Sequence, residues 1–361
     1  MNEHGASTFA PTRRRMLHVA GVAALAGWPA LDAFGLAPTA AMPKSPARID
    51  FLSPGAGAAA LSQPGDPYFA NMGLLEISAR MRSPLKGLAL AQARVAVRDY
   101  DAAAVLAFTD QEKIAIGGVI DHMQALLEAR APLYARTPWS FIKLDDRAEG
   151  GMPHTRGPHI VLPRETAEHF AVMHQEMLEA GKLAVTPRGR DLLIHEQTHV
   201  LERQDPALFE PLFTAVFGFT RMTPAPATAW LSRHRCTNPD GPDVAWAFPL
   251  AKIGGSGWLM PDVALPDVAV PRMPEDFQAI GVEVIQVAEG WKVIEENGQP
   301  RRRDLDKIPG YDAHFPFPDE DFHPNEIAAV ALSHWILRDV PDVDRRPLMP
   351  ALADWAKKAL A

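Results

Sequence analysis

Apolar residues recur at helical spacing in several stretches of this chain, and Pro or Gly closes most of them. Asp66-Pro67 supplies a cap and a first-position proline, and the spacing predicts a helix over 68–81. A second predicted helix runs from Asp110 to about Ala129 and stops before Pro132. Residues 165–180 read as a third, ended by Gly181. Thr186-Pro187 opens a fourth, from 187 to about 204, and Asp205-Pro206 breaks it and starts the next. Two further helices are predicted at about 323–338 and 343–360. Trp139–Leu144 and His159–Leu162 read as short strands. The segment 244–296 alternates apolar and polar positions; its best strand, Val282–Val287, turns at Glu289-Gly290 into Trp291–Ile294. No internal repeat is visible. The pattern predicts an α+β chain in which helices dominate.

The first 41 residues follow a different logic. Arg13-Arg14-Arg15 precedes a mildly apolar run from Val19 to Ala30, and small residues follow around Ala37–Ala41. Basic start, short apolar middle and small-residue end make up a secretory signal, and the run is too short to span a bilayer, which needs about 20 residues. Paired Arg with Met16-Leu17 just after resembles the twin-arginine export signal, which implies the twin-arginine export machinery as a partner and a periplasmic or secreted mature protein. No Cys lies near the cleavage region, so no lasting membrane anchor is expected after cleavage. Residues 42–66 are rich in Pro, Gly, Ala and Ser and read as an extended arm. The expected organisation is a signal at 1–41, an N-terminal arm and helical region at 42–134, and a main domain at 135–361.

Composition narrows the chemistry. The 361 residues carry a formal net charge of −8, which argues against a nucleic-acid partner. Cys236 is the single cysteine, so an internal disulfide and a Cys-based metal site are both excluded. Any metal must be held by His and carboxylates. The 34 Pro predict many ordered loops.

Within the helix predicted at 187–204 stands His195-Glu196-Gln197-Thr198-His199. Positions four apart lie one above the other on a helix, so His195 and His199 can hold one ion between them. Glu196 lies beside that face and can reach a water on the metal without being a ligand. The composition gives roughly 0.02 chance occurrences of such a string in this chain. Leu192, Leu193, Val200 and Leu201 supply the apolar flanks that a buried helix requires.

With these residues the chain resembles the zincin metallopeptidases. The resemblance implies a zincin-like fold, one Zn2+ ion, and a peptide or protein substrate. Subfamilies part at the third protein ligand. Asp205 stands where metzincins place one, but Glu202 replaces the Gly that turns the chain there. Glu202 itself reads as a solvated helix carboxylate, paired with Arg203. Residues 211–239 contain no Asp or Glu, so the thermolysin-like spacing is not met. Further on, His323-Pro324-Asn325-Glu326-Ile327-Ala328-Ala329 resembles the third-ligand segment of the Glu-type zincins, the gluzincins. That resemblance implies Glu326 as third ligand, with Asn325 and His323 orienting it.

Zinc with three protein ligands keeps a position for water and lowers that water's pKa towards about 7. Glu196 is then the expected general base, and Tyr311 and His314 the expected donors to the oxyanion, with His323 a third contender. His159–Leu162 is the candidate edge strand beside the cleft, to which a peptide would add as a further strand, with His154, Thr155 and Arg156 at the cleft mouth. The implied activity is peptide-bond hydrolysis. Two alternatives remain open: a secreted non-catalytic zinc-binding protein on the same scaffold, and a metallohydrolase of non-peptide amides.

Overall fold

The computed structural model describes residues 45–63, 65–181, 186–241, 245–317, 320–337 and 348–361. The export signal expected at 1–41 lies outside the described residues, as does the start of the helix expected at 343–360.

Helix boundaries follow the capping chemistry. Ser53 caps α1 (Pro54–Leu61), accepting from the Ala56 N–H at 3.3 Å, and Asp66 caps α2 (Pro67–Asn71) through the Tyr68 N–H at 3.0 Å. The helix predicted over 68–81 breaks at Met72-Gly73 and resumes as α3 (Leu74–Arg80). Met72 and Gly73 are extended there, and only Gly fits at 73, since a Cβ would lie 2.5 Å from the Ser232 carbonyl oxygen. Next, α4 (Leu90–Ala103) has no counterpart among the predicted elements, because it buries only Ala93, Val97 and Asp101 along a narrow stripe. A capping box opens α5 (Asp110–Arg130), with Glu112 N–H donating to Thr109 Oγ1 at 3.2 Å and Thr109 N–H to Glu112 Oε2 at 2.8 Å. Beyond α6 (Pro132–Arg136) and α7 (Arg164–Glu179) comes α8 (Pro187–Gln204), capped where Thr186 Oγ1 accepts from Gly189 N–H at 3.1 Å. Asp205 ends α8 and caps α9 (Pro206–Pro211), its Oδ1 accepting from Leu208 N–H at 3.1 Å. The rest are α10 (Ala229–His234), α11 (Tyr311–His314), α12 (Pro324–Leu337) and α13 (Met349–Ala359).

Five strands form the first sheet: β1 (Ile49–Phe51), β2 (Val105–Leu106), β3 (Trp139–Leu144), β4 (His154–Arg156) and β5 (His159–Pro163). Their order is β1-β3-β5-β4, with β2 also paired to β3. β1 and β5 run parallel to β3, whereas β4 is antiparallel to β5 and closes one edge. Near-continuous apolar runs in β3 and β5 suit strands covered on both faces. The second sheet holds β6 (Thr220–Met222), β7 (Ala245–Pro249), β8 (Trp258–Ala264), β9 (Gln278–Val287) and β10 (Gly290–Val293) in the order β10-β9-β8-β7-β6. A small ribbon, β11 (Glu295–Glu296) with β12 (Gln299–Pro300), leads into β13 (Arg302–Asp304), which pairs with β9. The run Arg301–Arg303 therefore borders the sheet, and Arg301 and Arg303 reach Glu283 at 2.9 and 2.8 Å.

The main core places α8 among α5, α12 and the first sheet, with Leu193, Ile194, Val200 and Leu201 buried in it. Polar fasteners fix its rotation. Thr198 Oγ1 and Tyr134 OH lie 2.7 Å apart, Gln197 Nε2 donates to the Pro138 carbonyl at 3.3 Å, and Ser333 of α12 donates to Asp191 at 2.7 Å. Gly189 matters for the approach of α7: a Cβ there would meet the Phe170 ring at 2.8 Å. No packing boundary falls at 134/135 among the described residues. β1 is a member of the first sheet, and Phe108, Ile116, Leu127 and Tyr134 share one core with Leu193 and Ile327. Among the described residues no helix is long and apolar enough to cross a membrane.

Candidate metal centre

The four-residue spacing on α8 brings His195 and His199 together, Nε2 to Nε2, at 3.1 Å. α12 packs against α8 and delivers Glu326 from its first turn. Glu326 Oε2 lies 3.3 Å from His195 Nε2 and 3.4 Å from His199 Nε2. Three ligand atoms thus form a nearly equilateral triangle. Tetrahedral bonds of about 2.0–2.1 Å set ligand atoms about 3.3 Å apart, so the triangle matches one face of a metal's coordination sphere. Among the described residues this is the single such group of three.

The surroundings favour a cation. His199 and Glu326 are buried, and the His195 side chain is 18% exposed. Burial, and then the Asp240 carboxylate and Glu326, push the Glu196 carboxyl well above its ordinary range despite His199. Burial alone would lower His199, but the carboxylates of Glu326 and Asp240 and the hydrogen bond it donates to Glu202 raise it well above 6.5. Burial would raise Glu326, yet His199 and His195 hold it well below its usual range. Glu196 Oε2 has no hydrogen-bond partner although it is shielded from solvent. Such an orphaned buried oxygen beside a carboxylate-rich cluster fits a site whose missing charge is a divalent ion and whose missing donor is a water on it.

Glu202 is not the solvated carboxylate expected from sequence. It is buried and accepts from His199 Nδ1 at 3.0 Å. The three-residue spacing from His199 was the available signal, since i and i+3 share a helix face. This bond places the Nδ1 proton and leaves Nε2 to face the other two ligand atoms. Burial, partly offset by that bond, pushes Glu202 up to about 7. Asp205 is no ligand either, being the cap of α9.

Asn238 stands just before the turn at Pro239-Asp240. Its Nδ2 donates to Glu326 Oε1 at 2.7 Å, while its Oδ1 accepts from the Asp240 N–H at 2.8 Å. The turn chemistry is real, but it uses half of the side chain. Asn325 and His323, expected to orient Glu326, pair with each other through Asn325 Oδ1 and His323 Nδ1, and Asn325 Oδ1 also lies 3.4 Å from Asn238 Nδ2.

Tyr311 and His314 do not join the centre. The Tyr311 hydroxyl donates to the Asp321 carbonyl at 2.9 Å, and the ring is fully buried against Phe248 and Phe315. His314 packs on the same two rings. α11 belongs to the aromatic core, and neither residue is in the group of three. Cys236 is a buried thiol raised by desolvation and by Glu76, which suits no nucleophile.

The edge strand also differs from the expectation. His159–Leu162 lies within β5, between β3 and β4, so the edge belongs to β4. The outward groups of β4 are already taken. Thr155 N–H donates to Asp240 Oδ1 at 2.7 Å, and Arg203 Nη2 lies 3.4 Å from the Thr155 carbonyl. A cleft of ≈ 720 Å³ opens beside this region, walled by Glu202, Asp240, His323 and Asn325 together with Phe213 and Trp246.

No protein-family description, curated protein or solved structure matches this chain.

Proposed function

We propose that the chain is an exported, zinc-dependent metallopeptidase of zincin-like fold. The triangle of His195 Nε2, His199 Nε2 and Glu326 Oε2 carries this reading, with the orphaned Glu196 oxygen beside it. His195, His199 and Glu326 would hold the zinc, which would supply Lewis acidity and make water easier to ionise near neutral pH. Glu196 accepts the proton of the attacking water on its free oxygen and passes it to the leaving amine. Its raised affinity for a proton suits that second step, because the protonated form is the donor. Glu202 keeps His199 in the tautomer that directs Nε2 inward. The export part rests on Arg13-Arg14-Arg15 and the short apolar run after it.

One observation favours a second reading, a metallohydrolase of non-peptide amides. The occupied edge of β4 offers no free strand pairing to an extended polypeptide, so a compact amide suits the site better. A non-catalytic zinc-binding protein is disfavoured, since a structural site has no use for Glu196.

The test compares the mature protein with Glu196→Gln, taken from the cell fraction in which it accumulates. Both should hold one zinc, and the wild type alone should hydrolyse peptides or small amides in a broad screen. Zinc in both with hydrolysis in neither would sink the enzyme reading. Recovery from the cytoplasm with Met1 retained would remove the export part.

A further inference from the structure

Glu326 has two carboxylate oxygens and uses them differently. Oε2 faces the two imidazoles, while Oε1 accepts from Asn238 Nδ2 at 2.7 Å. A carboxylate at the end of a flexible side chain turns freely unless its second oxygen is tied. The amide that ties it is itself fixed. A flip of Asn238 would set its oxygen against Glu326 Oε1 and its NH2 against the Asp240 N–H, which now donates to Oδ1 at 2.8 Å.

The loop that carries Asn238 is pinned on both sides. Thr237 N–H and Thr237 Oγ1 each donate to Glu76, at 2.9 Å and 2.9 Å. The Thr237 carbonyl accepts from Arg80 Nη2 at 2.8 Å. Arg80 in turn pairs with Glu76 at 2.7 Å and with Glu149, all three side chains being shielded from solvent. On the other side Asp240 accepts from Thr155 N–H and Thr155 Oγ1, and the Pro239 carbonyl accepts from Arg203. Glu76 and Arg80 thus tie Thr237 through three hydrogen bonds, which hold the loop in one place.

We propose that Asn238 is the positioning residue of the metal centre, holding Glu326 to one-oxygen ligation, and that Glu76 and Arg80 of α3 act on the centre through Thr237. The N-terminal helices are then a working part of the site and not a removable arm. This rests on the zinc reading above.

The test is zinc affinity by chelator competition, with the visible spectrum of the cobalt-substituted protein reporting the coordination number. Asn238→Ala should bind zinc about 10–100-fold more weakly, the range for lost partners of metal ligands. Its cobalt spectrum should move from the four-coordinate form towards the weaker five-coordinate one as both Glu326 oxygens bind. Thr237→Val keeps the amide but removes one anchor, and should give a smaller loss in the same direction. Should Asn238→Ala fail to fold, Thr237→Val decides: weaker zinc supports the proposal and unchanged zinc overturns it. A folded Asn238→Ala with wild-type affinity and spectrum overturns the proposal alone. A wild type that binds no zinc overturns the metal reading and this proposal with it.

Discussion

His199 is held at both ring nitrogens, and the two contacts have different jobs. Nε2 faces His195 and Glu326, whereas Nδ1 is tied to Glu202 at 3.0 Å. A ligating imidazole keeps its orientation and tautomer through its second nitrogen. Glu202→Ala leaves Nδ1 facing a buried gap, so the ring can turn and either tautomer can form. Zinc affinity measured by chelator competition should fall about 10–100-fold, while Glu202→Gln, whose amide oxygen can still accept, should recover most of the loss. Equal affinities in wild type and Glu202→Ala would show that helix packing alone orients the ring. His195 differs: its side chain is 18% exposed, and Glu326 itself is the carboxylate that reaches it.

At the scale of elements, the centre depends on α8 being set correctly between the first sheet and α12. The sequence makes α8 readable because its ends are chemical: Thr186 caps, Pro187 starts, and Pro206 cannot continue the helix. Glu326 was readable for the same reason, at the start of a Pro-led helix. What the sequence hides is distance. Tyr311 and His314 stand close to Glu326 along the chain but turn into the aromatic core, and Asn238, far from both helices in sequence, reaches Glu326. Likewise β5 reads as a strand, but whether a strand is an edge depends on its partners, and β4 is too short to announce itself. α5 is fixed to the first sheet by one buried ion pair, Lys143 Nζ to Glu112 Oε1 at 2.6 Å. The other oxygen of Glu112 completes the cap of α5. Lys143→Met strands a buried carboxylate and should destabilise the fold by about 3–5 kcal/mol, read from the midpoint of urea unfolding. A loss below about 1 kcal/mol, the scale of exposed pairs, would mean that water reaches Glu112.

For the whole molecule, the centre links stability to pH in opposite directions with and without metal. Stripped of metal, the site gathers Glu196, Glu202, Asp240 and Glu326 around His199. His199 is raised above its unfolded value, so its contribution is full below about pH 6.5 and is lost as pH rises through the folded value. Glu202, pushed up to about 7, keeps a proton that the unfolded chain has released, so it too takes stability away as pH climbs from about 4.5 to about 7. Glu326 is depressed, so its contribution is present above its unfolded value and is lost only in stronger acid. The metal-free centre should therefore contribute less stability at pH 8 than at pH 5.5, against the buried His154, which desolvation lowers and which works in the other direction. A bound divalent ion would reverse the trend, because it would replace the proton on His199 and bind more tightly as that ring deprotonates. Bound ligand stabilises by RT ln(1 + [L]/Kd), so the gap in melting temperature between zinc-loaded and chelator-treated protein should widen from pH 5.5 to pH 8. Scanning calorimetry of both forms across that range measures it. A gap that narrows with rising pH would mean that the carboxylates around His199 hold no cation there, which removes the electrostatic basis for a metal centre on α8 and α12.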